Sequence, residues 1–175
     1  MIVLRNGSKS ASVTHGGQPL RLKLGSAEIP LFAPFGFSSF DGQEHDRESL
    51  ALQCQDEETT AAIEALDQIV LKKLKANLAR YTTAKEAQVD EYWRELVKRS
   101  DKYPPIIRTK CTKSKVRVWG PNKEQLSVDD VRPRSEMAVV VQARNVYFQN
   151  KGMGLCLDVS DILLLNGDSQ NCPWE

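Results

Sequence analysis

Two long apolar runs on either side of a short turn limit most strongly what this chain can fold into. Residues 137–148, MAVVVQARNVYF, and 153–165, MGLCLDVSDILLL, flank Gln149-Asn150-Lys151-Gly152. Val, Leu, Ile, Tyr and Phe crowd the two runs and polar residues separate them, the pattern of a long β-hairpin.

Upstream lies RTKCTKSKVRVW, from Arg108 to Trp119, which carries Arg108, Lys110, Lys113, Lys115 and Arg117 and no acid. It reads as one long strand ending at the Gly120-Pro121-Asn122 turn. Side chains alternate along a strand, so Arg108 and Lys110 share one face while Lys113, Lys115 and Arg117 share the other. Such a strand is either a surface for polyanions, with Trp119 as a stacking platform, or an edge whose lysines block aggregation.

The remaining chain supplies more strands and a helical pair. Residues 1–19 are polar after MIVLR and read as a mobile arm, or as a first strand with a loop. In LRLKL, Leu20, Leu22 and Leu24 alternate with Arg21 and Lys23, which predicts a half-buried strand. Phe32, Phe35, Phe37 and Phe40 cluster around Pro34 and Gly36, either as core or as a stacking surface. RESLALQ, residues 47–53, reads as another strand.

Asp56 then caps a helix whose apolar stripe is Ile63, Leu66, Val70 and Leu74, with Lys72, Lys73 and Lys75 toward its C-terminal end. Thr83-Ala84-Lys85-Glu86 fits a capping box for a second helix carrying Val89, Tyr92, Trp93, Leu96 and Val97, which puts Trp93 in the core. A short strand is expected around Leu126 to Val128, and Arg132 and Arg134 extend the basic surface. Several strands, a helical pair and three long strands predict an α+β chain, a Greek-key β-barrel with a helical insertion at residues 57–100.

A length of 175 residues suits one domain. The net charge of +1 hides strong segregation: residues 1–40 carry +3, 41–68 carry −8, 69–117 carry +9 and 118–175 carry −3. Segregation of this kind can give a nearly neutral protein a basic face that attracts phosphate. Cys54, Cys111, Cys156 and Cys172 lack zinc-site spacing, and His15 and His45 stand without a paired ligand or nucleophile. The expectation is therefore a non-enzymatic protein without metal or cofactor. No apolar run reaches transmembrane length and the start lacks the apolar core of a secretory signal, so the expected compartment is intracellular.

Over YPPIIRTKCTKSKVRVW and AVVVQARNVYFQNKGMGLCLDVSDILLL, the chain resembles the OB-fold single-stranded-DNA-binding proteins of tailed phages and of large DNA viruses of algae and protists. In that family a basic strand, a loop, a strand ending in an aromatic pair, a turn and a KGxGLxLxVxxILL-like strand follow one another. The front half is similar in plan, from Phe35-Gly36-Phe37 through the strand at 49–53 to a helical region ending before Tyr103-Pro104. Residues 166–175, NGDSQNCPWE, read as a short polar tail, and the resemblance implies an OB-like domain at 20–165 with cooperative or dimeric coating of exposed DNA in replication, recombination or repair. Family members often end in an acidic tail that recruits partners, a pattern Cys172-Pro173-Trp174-Glu175 lacks.

The expected nucleic-acid contacts are Arg108, Lys110, Lys113, Lys115, Arg117, Arg144 and Lys151 for phosphates, with Trp119, Tyr147 and Phe37 for stacking. Two other readings of the same basic sheet stay open. One is a virion or scaffold subunit that binds an acidic protein partner, and the other is an RNA-binding protein.

Overall fold

Alternating short apolar stretches build the first part of the chain as strands: β1 (Ile2–Asn6), β2 (Ser10–His15), β3 (Gln18–Leu24), β4 (Leu31–Ala33), β5 (Phe37–Ser38) and β6 (Arg47–Gln53). Helices α1 (Glu57–Ala76), α2 (Leu78–Tyr81) and α3 (Glu86–Tyr92) follow, then β7 (Val97–Lys98), β8 (Ile106–Thr112), β9 (Arg117–Trp119) and β10 (Gln125–Leu126). A 3-10 turn at Val128–Asp130 leads into the long hairpin, β11 (Ser135–Gln149) and β12 (Gly152–Leu164). The structure, a computed structural model, describes residues 2–6, 10–39, 41–149 and 152–165. Phe40, Lys151 and the expected tail at 166–175 lie outside the described residues.

These elements form an α+β fold with a mixed sheet in the order β1-β2-β3-β11-β4-β6-β8-β12-β9-β10. Because β11 also pairs with β12, the contacts β11-β4-β6-β8-β12 return to β11. All of these are antiparallel except β8 with β12, which is parallel. The free edge of β11 is taken in turn by β4 at 135–137, β3 at 139–143 and β2 at 145–147.

Two opposed bulges let this long hairpin coil. Val140 lies opposite Asp161 and Val141 opposite Val159, leaving Ser160 as an extra residue on β12. Ala143 lies opposite Leu157 and Asn145 opposite Cys156, leaving Arg144 extra on β11. Each bulge resets which side chains face inward. Burial therefore passes from Val141 and Ala143 to Val146 on β11, and from Leu157 and Val159 to Ile162 and Leu164 on β12.

The core side of the sheet is closed by α1. Asp56 accepts the Thr59 N–H at 2.9 Å and caps it, and Ile63, Leu66, Val70 and Leu74 are all buried, as the apolar stripe predicts.

The structure departs from the sequence expectations at four places. Within residues 1–19, read as a mobile arm or as a first strand with a loop, the structure has two strands, and β2 pairs with both β1 and β11 and buries Ala11 and Val13, because the bulged edge of β11 needs a partner there. The strand expected over 108–119 is broken. Asp46 takes the Lys113 N–H on its carbonyl and the Ser114 N–H and hydroxyl on its carboxylate, each within 2.8 Å, and the chain turns before β9.

The second helix starts at Glu86, where Gln88 Oε1 accepts the Lys85 N–H at 2.9 Å in place of the expected Thr83–Glu86 box, and it stops at Tyr92. Beyond it Arg94 N–H donates to Met153 O, Leu96 N–H to Asp67, and Leu96 O accepts the Arg108 N–H, so tertiary partners outweigh helical periodicity and Leu96 and Val97 are buried in extended chain. Lastly, the short strand after Gly120 is Gln125–Leu126, paired with β9, and the chain enters a 3-10 turn at Val128.

Asp67 is a carboxyl buried on α1 that holds this connector. Its Oδ2 accepts Leu96 N–H at 3.1 Å and Trp93 Nε1–H at 3.3 Å, while Oδ1 is buried without a hydrogen bond among the described residues. Burial pushes its pKa up from 3.8 to about 6, with the two donors offsetting only part of that rise. A raised carboxyl pKa means that the folded state resists ionisation, so this group's cost to stability is absent below about pH 4 and grows to its full value by about pH 7. In urea titrations Asp67→Asn is expected to gain on the wild type across that window by about 2 kcal/mol. A stability difference that is flat from pH 4 to 8 rules out the buried charge.

Candidate nucleic-acid interface

The outer face of the sheet is where the cations meet. β6 and β8 pair with Ser49 opposite Lys110 and Ala51 opposite Arg108, and the alternation that buries Leu50, Leu52, Ile107 and Thr109 turns these four outward. They form one wall and part of the floor of an open groove of about 640 Å³. Leu155, Cys156 and Leu157 of β12 and Asn145, Tyr147 and Gln149 of β11 continue the lining, and the connector Arg94-Glu95-Leu96 closes the other side.

Tyr147 is the aromatic of this groove, and a glycine makes its seat. Tyr147 pairs across the hairpin with Gly154. A Cβ on Gly154 would stand 2.9 Å from the Arg94 carbonyl oxygen and 3.2 Å from the Tyr147 hydroxyl, so only glycine lets connector and ring close over β12. Burial pushes the Tyr147 hydroxyl pKa up, and the charges of Arg108 and Arg94 work against that rise.

The cations differ in how they are held. Lys110 Nζ donates to Ser49 Oγ at 2.7 Å and Arg108 has no ion-pair partner among the described residues, so neither is held by an acid, although Glu95 lines the same groove. Arg47 lies 2.6 Å from Asp158 Oδ1 and Arg144 lies 3.1 Å from Oδ2, one carboxylate between two guanidinium groups. Burial pushes the Asp158 carboxyl upward, but hydrogen bonds from Arg47 and Arg144 outweigh it and hold the group below its ordinary value. Farther along β12, Asp161 stands between Arg117 at 2.7 Å and Arg21 at 3.4 Å.

The expected contact residues are thus divided among several places. Arg108, Lys110 and Tyr147 meet in the groove, and Arg144 adjoins it through Asp158. Arg117 and Trp119 belong to a second depression. Lys113 is not grouped with them: its ammonium lies 2.9 Å from Glu44 and 3.3 Å from Glu48, and 5.8 Å from the centre of the Phe37 ring. Phe37 itself packs half-buried against the core. Lys115 is exposed on the β8–β9 turn, and Lys151 lies outside the described residues.

Sequence reasoning missed Arg47, Arg94 and Asn145. Arg47 was detectable, because it shares an alternation phase with Ser49 and Ala51; Arg94 was not, because helical periodicity continued through it. Cys111 is buried and Cys156 half-buried, and burial pushes their thiol pKa values to about 12 and about 11, which keeps them protonated and unreactive near neutrality.

The fold is similar to that of known phage proteins. Against the single-stranded DNA-binding protein from bacteriophage Enc34 the TM-score is 0.54 at 12% identity, covering 96% of this chain and 91% of that one. The same protein in complex with ssDNA matches with a TM-score of 0.54 at 15% identity, over 95% of this chain and 96% of that one. For gp2.5, a single-stranded DNA binding protein encoded by bacteriophage T7, the TM-score is 0.50 at 11% identity, over 87% and 96%. At such identities the likeness is one of fold. No protein-family model and no curated protein matches the sequence.

The seat at Gly154 makes a testable demand. Gly154→Ala must displace backbone at Arg94, and it is expected to cost about 1 to 3 kcal/mol in urea unfolding, the usual range for overpacking. Unchanged stability would mean that the connector does not rest on β12 there.

Proposed function

We propose that this protein binds single-stranded DNA without sequence preference, as a non-catalytic OB-fold protein acting in replication, recombination or repair of viral DNA. The observation that carries the reading is the convergence of Arg47, Arg94, Arg108 and Lys110 around Tyr147 in an open groove on the outer face of the sheet. Cations that track a phosphate backbone beside a ring on which bases stack are the working parts of single-strand binders.

Topology supports the finer assignment. Among the paired strands β4, β6, β8, β11 and β12, numbered one to five in chain order, the contacts run 1-2-3-5-4-1 with the third and fifth parallel. This order, with the helices inserted between the second and third strands, supports the reading as a five-stranded Greek-key barrel. The Enc34 protein, whose fold is similar, has been solved with ssDNA.

Binding of labelled oligo-dT tests the reading. Arg108→Glu with Lys110→Glu is expected to weaken binding at least tenfold at low salt and to flatten the salt dependence by about 1.4 in log–log slope, because two phosphate contacts are lost. Tyr147→Ala is expected to cost about 1 to 3 kcal/mol of binding. Salt-insensitive binding, or a duplex bound as tightly as the single strand, would overturn it.

A further inference from the structure

We infer that the depression beside Trp119 is a second subsite for the same single strand, continuous with the first groove; this rests on the single-strand reading above. Its floor is apolar, made by Val140, Leu163 and the half-buried Trp119, and its rim is basic. Arg21 and Lys23 come from β3, Arg117 from β9 and Lys123 from the β9–β10 turn. Against these four cations stands one carboxylate, Asp161, already shared between Arg21 and Arg117. Lys23 and Lys123 are exposed and have no ion pair among the described residues.

Register links the two depressions. Ser49 of β6 lies opposite Lys110 of β8, Lys110 beside Asp158 of β12, Asp158 opposite Gln142 of β11, and Gln142 opposite Arg21 of β3. This one row runs outward-facing from the first groove into the second. The next row, Lys23-Val140-Asp161-Arg117, crosses the second depression. Three strand-to-strand steps separate Lys110 from Arg21, about 14 Å at the usual spacing between neighbouring strands. Midway sit Arg47 and Arg144, held in place by the Asp158 carboxylate, so positive charge is not interrupted between the two sites.

An apolar floor with an aromatic ring inside a cationic rim suits a base and its flanking phosphates. An acidic peptide would match the rim alone and leave the ring and floor unexplained. A strand anchored at Tyr147 that crosses the sheet along this row reaches Trp119 without leaving the basic face.

The test separates oligonucleotides by length. Fluorescein-labelled oligo-dT of about 4 and about 16 nucleotides spans the site sizes known for such folds. Lys23→Glu with Lys123→Glu, checked for folding by circular dichroism, is expected to weaken the long oligonucleotide at least tenfold and to leave the short one within twofold. Trp119→Ala is expected to weaken the long one at least fivefold with the same indifference to the short. An unchanged affinity for the long oligonucleotide, or equal losses for both lengths, overturns the second subsite. Arg108→Glu with Lys110→Glu serves as the control on the first groove, since its failure to weaken the short oligonucleotide, or failure of the wild type to bind either length, would sink the single-strand reading itself.

Discussion

Fifteen residues of β11 must satisfy hydrogen bonds on both edges while the sheet coils around a single core. One straight partner cannot follow such a strand. The structure answers with β12 along one edge and three short strands in succession along the other, and with a bulge on each arm of the hairpin. Because one extra residue falls on β12 and the other on β11, the register error introduced at Ser160 is cancelled at Arg144. The parallel contact to β8, at Asp158 and Val159, falls between the two bulges.

The same bulges shape the outer face. Re-phasing at Ser160 brings Asp158 and Asp161 to the same side of β12, where periodicity of two would have put them on opposite sides. Each then holds two arginines, Arg47 with Arg144 and Arg21 with Arg117. Burying Asp158 is costly for a charged group, and two guanidinium partners offset that cost. The result is a set of arginines held in position by carboxylates of the chain itself. A net charge of +1 gives no hint of this, because the acids on α1 and in the 41–48 segment lie elsewhere in the chain.

Much of the architecture was legible in the sequence. The 137–165 hairpin, the Asp56 cap, the Ile63-Leu66-Val70-Leu74 stripe and the alternation in 20–24 and 47–53 are local signals, and the structure follows them. Misreadings came where a distant group decided the local conformation. Asp46 breaks the basic strand after Thr112, and Asp67 with Met153 pulls residues 94–96 out of helix. In the first depression, Arg108, Lys110 and Tyr147 could be chosen by type and spacing, whereas Lys113 could not be excluded until Glu44 and Glu48 were seen beside it.

The amino-acid sequence by itself determined the long hairpin, the strands at 20–24 and 47–53, and the helical segment that interrupts the strands. Periodicity and capping act over a few residues, so they can be read without the fold. Tertiary structure alone decided which cations are paired, because a carboxylate neutralises whatever lies within a few ångströms regardless of sequence distance. It also decided that Ser49, Lys110, Asp158, Gln142 and Arg21, drawn from five strands, stand in one row. Register between strands far apart in the chain is set by bulges and by core packing, and neither leaves a mark in the local order of residues.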